Sequence, residues 1–80
     1  MWNDRLRLAE RVQSDWKALN SVERRNVMKA LETLDENPIA GAPLLEPLRG
    51  YWSYRVHHIR IVYRIVPEAR FIVILSIARA

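Results

Sequence analysis

Arg55, Arg60 and Arg64 fall within one short stretch, with His57 and His58 between the first two and Glu46 a few residues upstream. A guanidinium is a planar fork of donors that suits a phosphate and can also stack on a base. Glu46 stands alone as an acid among apolar and basic neighbours. It reads either as a solvated loop carboxylate or as a general base held close to arginines. Two adjacent histidines in a chain without cysteine are a poor metal site. No metal and no other cofactor is expected.

Such residues need a platform, and the local pattern supplies one. Trp52, Tyr54 and Val56 alternate with Ser53, Arg55 and His57. Ile59, Ile61, Tyr63 and Ile65 then alternate with Arg60, Val62 and Arg64. Period-two alternation of aromatic and β-branched residues predicts two strands in quick succession, each with one buried face. Trp52 and Ile61 are expected to be buried beneath helices. Ser53, Arg55, His57, Arg60 and Arg64 would share the opposite face.

Upstream, Leu8, Val12, Trp16 and Leu19 recur at helical spacing and predict a helix over about 9–19. Arg5 to Leu8 is either a brief strand or the entry to that helix. Asn20 with Glu23 three residues on predicts a capping box, and Val27, Met28, Leu31 and Leu34 give the second helix an apolar stripe. That helix stops at Asn37-Pro38. Residues 38–50 hold Pro38, Gly41, Pro43, Pro47 and Gly50, and are expected to be irregular. Pro67-Glu68-Ala69 reads as a turn, and the apolar run 70–77 as a strand that is central or covered on both faces. The order β-α-α-β-β-β predicts an α+β fold, a two-helix hairpin packed on a small, mainly antiparallel sheet.

Composition narrows the class. Eighty residues, half of them hydrophobic, make one small domain spanning 1–80 with a modest core. No apolar run reaches membrane-spanning length and no secretory signal is visible, so a cytoplasmic protein is expected. The net charge of +4 is unevenly placed. Residues 1–48 hold seven Lys/Arg against eight Asp/Glu, whereas residues 49–80 hold six Arg against Glu68 alone. A basic half whose cations are all Arg points to a polyanionic partner. The plainer alternative is solubility and ion pairing with the acidic half.

The run Glu46-Pro-Leu-Arg-Gly-Tyr-Trp-Ser-Tyr-Arg-Val, followed by Ile59-Arg-Ile-Val-Tyr63, resembles the RelE/ParE superfamily of toxin–antitoxin toxins, and its Gly-Tyr-Trp-Ser-x-Arg segment looks most like the YoeB branch. The resemblance covers essentially the whole chain and implies a RelE-like fold. It implies a ribosome-dependent mRNA endonuclease, an mRNA interferase that inhibits translation by attack of a 2′-hydroxyl on the adjacent phosphate. In that reading Glu46 matches the carboxylate base, Arg60 the phosphate-stabilising arginine and Arg55 a substrate-holding residue. Arg79 matches the arginine just before the family's C-terminal segment and is expected to be an RNA contact. Arg64 and, at most, His57 would be RNA contacts. The acid that protonates the leaving oxygen has no matching residue, which leaves three alternatives: a truncated member, substitution by His57, or a non-nucleolytic member. The second functional class is accordingly a ParE-like gyrase poison or a module that only binds its antitoxin. Implied partners are a cognate antitoxin, the ribosome and mRNA, with no membrane, in a homodimer or a toxin–antitoxin hetero-oligomer. The basic half-chain predicts an acidic, partly disordered antitoxin whose binding weakens as salt rises.

Overall fold

In the computed structural model, which describes residues 5–68 and 70–80, the two alternating segments pair as neighbours. Strand β1 spans Leu6–Leu8, helix α1 Arg11–Lys17 and helix α2 Ser21–Glu36. Strand β2 is Ala42–Pro43, β3 Tyr51–Val56, β4 Ile59–Val66 and β5 Phe71–Arg79. The sheet order is β1-β5-β4-β3-β2. Among the described residues, only β1 runs parallel to its neighbour; the other pairs are antiparallel. This is the α+β fold that the sequence predicts, with helices on one side of a mainly antiparallel sheet.

Local chemistry explains the helix ends. Asn20 Oδ1 accepts from the Glu23 N–H at 2.8 Å, and the Asn20 N–H donates to Glu23 Oε1 at 2.9 Å. The reciprocal capping box is therefore formed, and the helix it starts ends before Pro38 as foreseen. Helix α1 is shorter than the periodicity predicts. The Ala9 N–H bonds to the Ile74 carbonyl at 2.9 Å, so Ala9 still belongs to the strand-like approach from β1.

The core lies between α2, α1 and the sheet. Val27, Leu31 and Leu34 meet Ile59, Ile61, Tyr63, Ile72 and Ile74, all buried. Trp52 is on the expected face but only half-buried, stacked on Tyr63 with ring centroids 6.2 Å apart. It lies near the edge of the sheet, where β2 is two residues long and gives little cover. Trp16, on the apolar stripe of the first helix, is likewise half-buried, with the Arg24 guanidinium 5.5 Å over its ring.

The loop after α2 departs further from the sequence reading. Residues 38–50 are not wholly irregular, because Pro38–Ala40 form a 3-10 turn and Ala42–Pro43 pair with β3. The Tyr63 hydroxyl holds that loop to the core, donating to the Pro38 carbonyl at 2.6 Å and accepting from the Gly41 N–H at 3.1 Å. A Cβ at Gly41 would come within 2.5 Å of both the Ser53 carbonyl oxygen and the Tyr63 hydroxyl, which is why the residue has none. Strand β5 is interior, as its apolar run predicts, and extends to Arg79. The turn before it includes Arg70 at φ 60, while the Ala69 part of the expected turn lies outside the described residues.

Candidate nucleic-acid interface

Strand register assigns each arginine within a strand to a face. Arg55 lies directly opposite Arg60, and Tyr51 directly opposite Arg64, across the β3–β4 pair. Between these two rows lie Ser53, Val62 and Ser76. The core residues Ile59, Ile61 and Tyr63 alternate with Arg60, Val62 and Arg64, so this second set occupies the sheet face away from the helices. Val73 and Phe71 continue that face on β5, and Arg7 joins it from β1, 5.0 Å over the Phe71 ring. Among the described residues, no carboxylate pairs with Arg55, Arg60 or Arg64.

The β3–β4 turn separates the two histidines. His57 takes the left-handed conformation, φ 56, in a two-residue hairpin turn. It is exposed at the tip, and the Arg55 Nε donates to its carbonyl at 3.3 Å. His58 instead belongs to the helix side, its Nε2 lying 2.7 Å from Glu23 Oε2. An ionised carboxylate only accepts, so the imidazole nitrogen is the donor.

Arg79 stands apart from the other arginines expected to touch RNA. It pairs in register with Ile59, on the helix-facing side of the sheet. Its Nε donates to Glu23 Oε2 at 2.8 Å, and its Nη2 donates to Glu23 Oε1 at 2.7 Å and to the Ala18 carbonyl at 2.9 Å. A bidentate fork on a carboxylate is the geometry a guanidinium satisfies best. The Arg79 bond, the Asn20 N–H and His58 together pull the Glu23 pKa down to about 2, and Glu23 in turn raises that of Arg79. Glu23 is 3% exposed and joins the α2 cap to the end of β5. The sequence reading found its capping role and missed this second one, which depends on a partner 56 residues away and leaves no local mark in the sequence.

Glu46 is displaced from the arginines in a different way. Its side chain is 73% exposed and its ion-pair partner is Arg49, at 3.8 Å. Its loop is anchored at Tyr51, through the Leu44 N–H to the Tyr51 carbonyl at 2.8 Å and the Tyr51 N–H to the Leu48 carbonyl at 3.1 Å. Tyr51 and Arg55 are four strand residues apart, about 13 Å at roughly 3.3 Å per residue. The structure thus brings Arg55 and Arg60 together, adds Arg64 to their face and His57 to their turn, and anchors the Glu46 loop at the Tyr51 end. Among the described residues no cluster of three His, Cys, Asp or Glu is placed to hold a metal, and no helix is long and apolar enough to cross a membrane.

A helix hairpin behind a five-stranded sheet, with a cationic face left open, is the build of a small α+β protein. Comparison with known proteins identifies the class. Residues 6–80 match the family model described as ParE toxin of type II toxin–antitoxin system, parDE, and the chain belongs to that family. Among solved structures it is similar to the toxin in the RelBE2 toxin–antitoxin complex from Mycobacterium tuberculosis, at 28% identity and TM-score 0.86, covering 94% of this chain and 95% of that one. It is also similar to the isolated Escherichia coli RelE toxin, at 25% identity and TM-score 0.80, covering 94% of this chain and 82% of that one. A YoeB/ParE toxin from Agrobacterium tumefaciens shares the fold, at 20% identity and TM-score 0.79, covering 95% of this chain and 98% of that one. No protein in a search of curated sequences matches the chain. The protein is a toxin of a type II toxin–antitoxin system, of RelE/ParE type. Several of the structural neighbours were solved as toxin–antitoxin complexes.

Proposed function

We propose that this toxin cuts mRNA on the ribosome, with the Arg55–Arg60 pair on the scissile phosphate. One observation carries the reading: two arginines stand directly opposite each other on an open face without a carboxylate to pair them, among the described residues. Like charges across a strand pair destabilise by roughly 0.2–1 kcal/mol, reduced by screening. An anion bound between them turns that cost into attraction.

In the proposed reaction the RNA 2′-hydroxyl attacks the adjacent phosphorus and a 2′,3′-cyclic phosphate forms as the 5′-oxygen leaves. Arg55 holds the phosphate, and Arg60 meets charge that grows on the phosphorane. Glu46 takes the 2′-hydroxyl proton, which requires its exposed loop to close toward Arg60 in the ribosomal complex. His57, on the turn that joins the two arginine strands, supplies the proton to the leaving oxygen. A cognate antitoxin would silence the toxin by covering or reshaping this face.

A second reading is favoured by the ParE description of the family model and by the separation of Glu46 from the Arg55–Arg60 row. In it the same face poisons gyrase and no RNA is cut. Programmed ribosomes with an empty A site separate the two. The nuclease reading expects a single-turnover cut by the wild-type chain and a slower one by Glu46→Gln at unchanged fold. No cut by the wild type, together with stabilised gyrase–DNA cleavage complexes, would replace it with the second reading.

A further inference from the structure

The open face extends well beyond the arginine pair, and its chemistry changes from row to row. At the hairpin end lie Arg55 and Arg60. The middle row, Ser53, Val62 and Ser76, is uncharged. At the far end Tyr51 stands opposite Arg64, and beyond it Arg7 lies over the Phe71 ring. Tyr51 and Phe71 are both half-buried; Arg7 covers the Phe71 ring, whereas the Tyr51 ring has no aromatic or cation contact among the described residues. The backbone of Tyr51 is fixed through both its N–H and its carbonyl, so its ring sits on a rigid support.

We infer that this face is a two-row track for an unpaired RNA strand, gripping one phosphate at Arg55 and Arg60 and a second at Arg64, with a base stacked on Tyr51. The rows are about 13 Å apart along β4 at roughly 3.3 Å per residue, which is more than one nucleotide of an extended strand can span. An intervening nucleotide therefore lies over the uncharged middle row, where hydroxyls and one apolar side chain meet it without fixing a third phosphate. The Tyr51 ring decides the class of ligand. Paired bases hide their faces in the helical stack, whereas unpaired ones stack on aromatic side chains. An acidic peptide would use the arginines and leave the Tyr51 ring idle. This inference rests on the reading of the face as an RNA contact surface, but it concerns binding and not cleavage.

The test is fluorescence anisotropy of labelled oligouridylate over a series of salt concentrations, with duplex RNA and polyglutamate as competitors. Removing one cation from a phosphate of a single strand reduces the slope of log K against log salt by about 0.7. The expected results are that Arg64→Ala weakens binding and flattens the slope by about that amount, and that Tyr51→Leu lowers affinity on the order of fivefold or more at unchanged slope, since stacking releases no counterion. Arg25→Ala, exposed on α2, should change neither beyond the general charge effect. Circular dichroism of each variant confirms the fold. An unchanged slope in folded Arg64→Ala, unchanged affinity in folded Tyr51→Leu, or competition by duplex or polyglutamate as effective as by oligouridylate would overturn the track. A chain that binds oligouridylate in this pattern yet never cuts ribosome-bound mRNA would sink the nuclease reading and leave the track standing.

Discussion

Arg60 and Arg79 lie on adjacent strands of one sheet and do opposite work. Arg79 faces the helices, where Glu23 takes both edges of its fork and the Ala18 carbonyl takes a further N–H. Arg60 faces away, directly across from another arginine and without a carboxylate partner among the described residues. One guanidinium is used up in holding the end of β5 to the start of α2. The other is left with its donors to offer. Residue type and net charge cannot tell the two apart; the face can. Of the six arginines in the C-terminal half, Arg55, Arg60 and Arg64 lie on the open face, Arg49 and Arg70 lie in the loop and turn outside the strands, and Arg79 faces the helices, so the working surface is better defined by strand parity than by charge density.

The largest contrast between the faces should appear in neighbouring residues. Ile61→Ala, beneath the helices at 0% exposure, is expected to cost about 2–5 kcal/mol in urea unfolding. Val62→Ala, half-buried on the open face, should cost about 1 kcal/mol or less. Equal losses would mean that the open face is itself packed against something. Next in size is Gly41→Ala, whose Cβ would press on the Ser53 backbone and the Tyr63 hydroxyl. A loss of about 1–3 kcal/mol is expected, read as a thermal shift of roughly 4 °C or more in a domain of this size.

A smaller effect is confined to acid. The Glu23 carboxyl is lowered from 4.5 to about 2 in the folded chain, so its contribution is fully present above pH 4.5 and is lost as pH falls toward 2. Glu23→Gln should be less stable than wild type at neutral pH and should lack that acid-dependent decline between pH 4.5 and 2. A parallel decline in both proteins would place the acid sensitivity elsewhere. The smallest effect is a gain. His57 holds φ 56, which costs a residue with a side chain and costs glycine little. His57→Gly should add about 0.5–1 kcal/mol while slowing cleavage, the signature of strain kept at a working position.

Most of the frame was legible because it is written in short-range signals. The Asn20–Glu23 box, the stop at Pro38 and the alternation through 51–66 each act over a few residues. What was missed depends on distant partners. Strand β2 is two residues with a proline, recognisable only once β3 lies beside it. The parallel pairing of β1 with β5 joins residues 6–8 to 72–74 across nearly the whole chain. Arg79 is the most instructive case. Counting by twos from Ile72 and Ile74 would turn residue 79 toward the open face. The register shift at Val62/Tyr63 absorbs one residue, so that Ile77 and Arg79 face the helices instead. A bulge leaves no local mark in the sequence, and it reassigns everything beyond it. The placement of Glu46 was hidden for a related reason, since loop anchoring at Tyr51 is set by hydrogen bonds between backbones and not by side-chain type.

The central claim is that the sheet works on one face and is held together from the other. It is tested most directly by measuring single-turnover cleavage of ribosome-bound mRNA and the thermal midpoint together, for Arg60→Ala and Arg79→Ala. Arg60→Ala should lose on the order of 10²–10³ in rate with its midpoint unchanged. Arg79→Ala should melt earlier, because it leaves Glu23 buried without its main partner, yet cut at close to the wild-type rate at temperatures where it is folded. Wild-type cleavage by Arg60→Ala, or an equal loss of rate in folded Arg79→Ala, would contradict the division of the two faces.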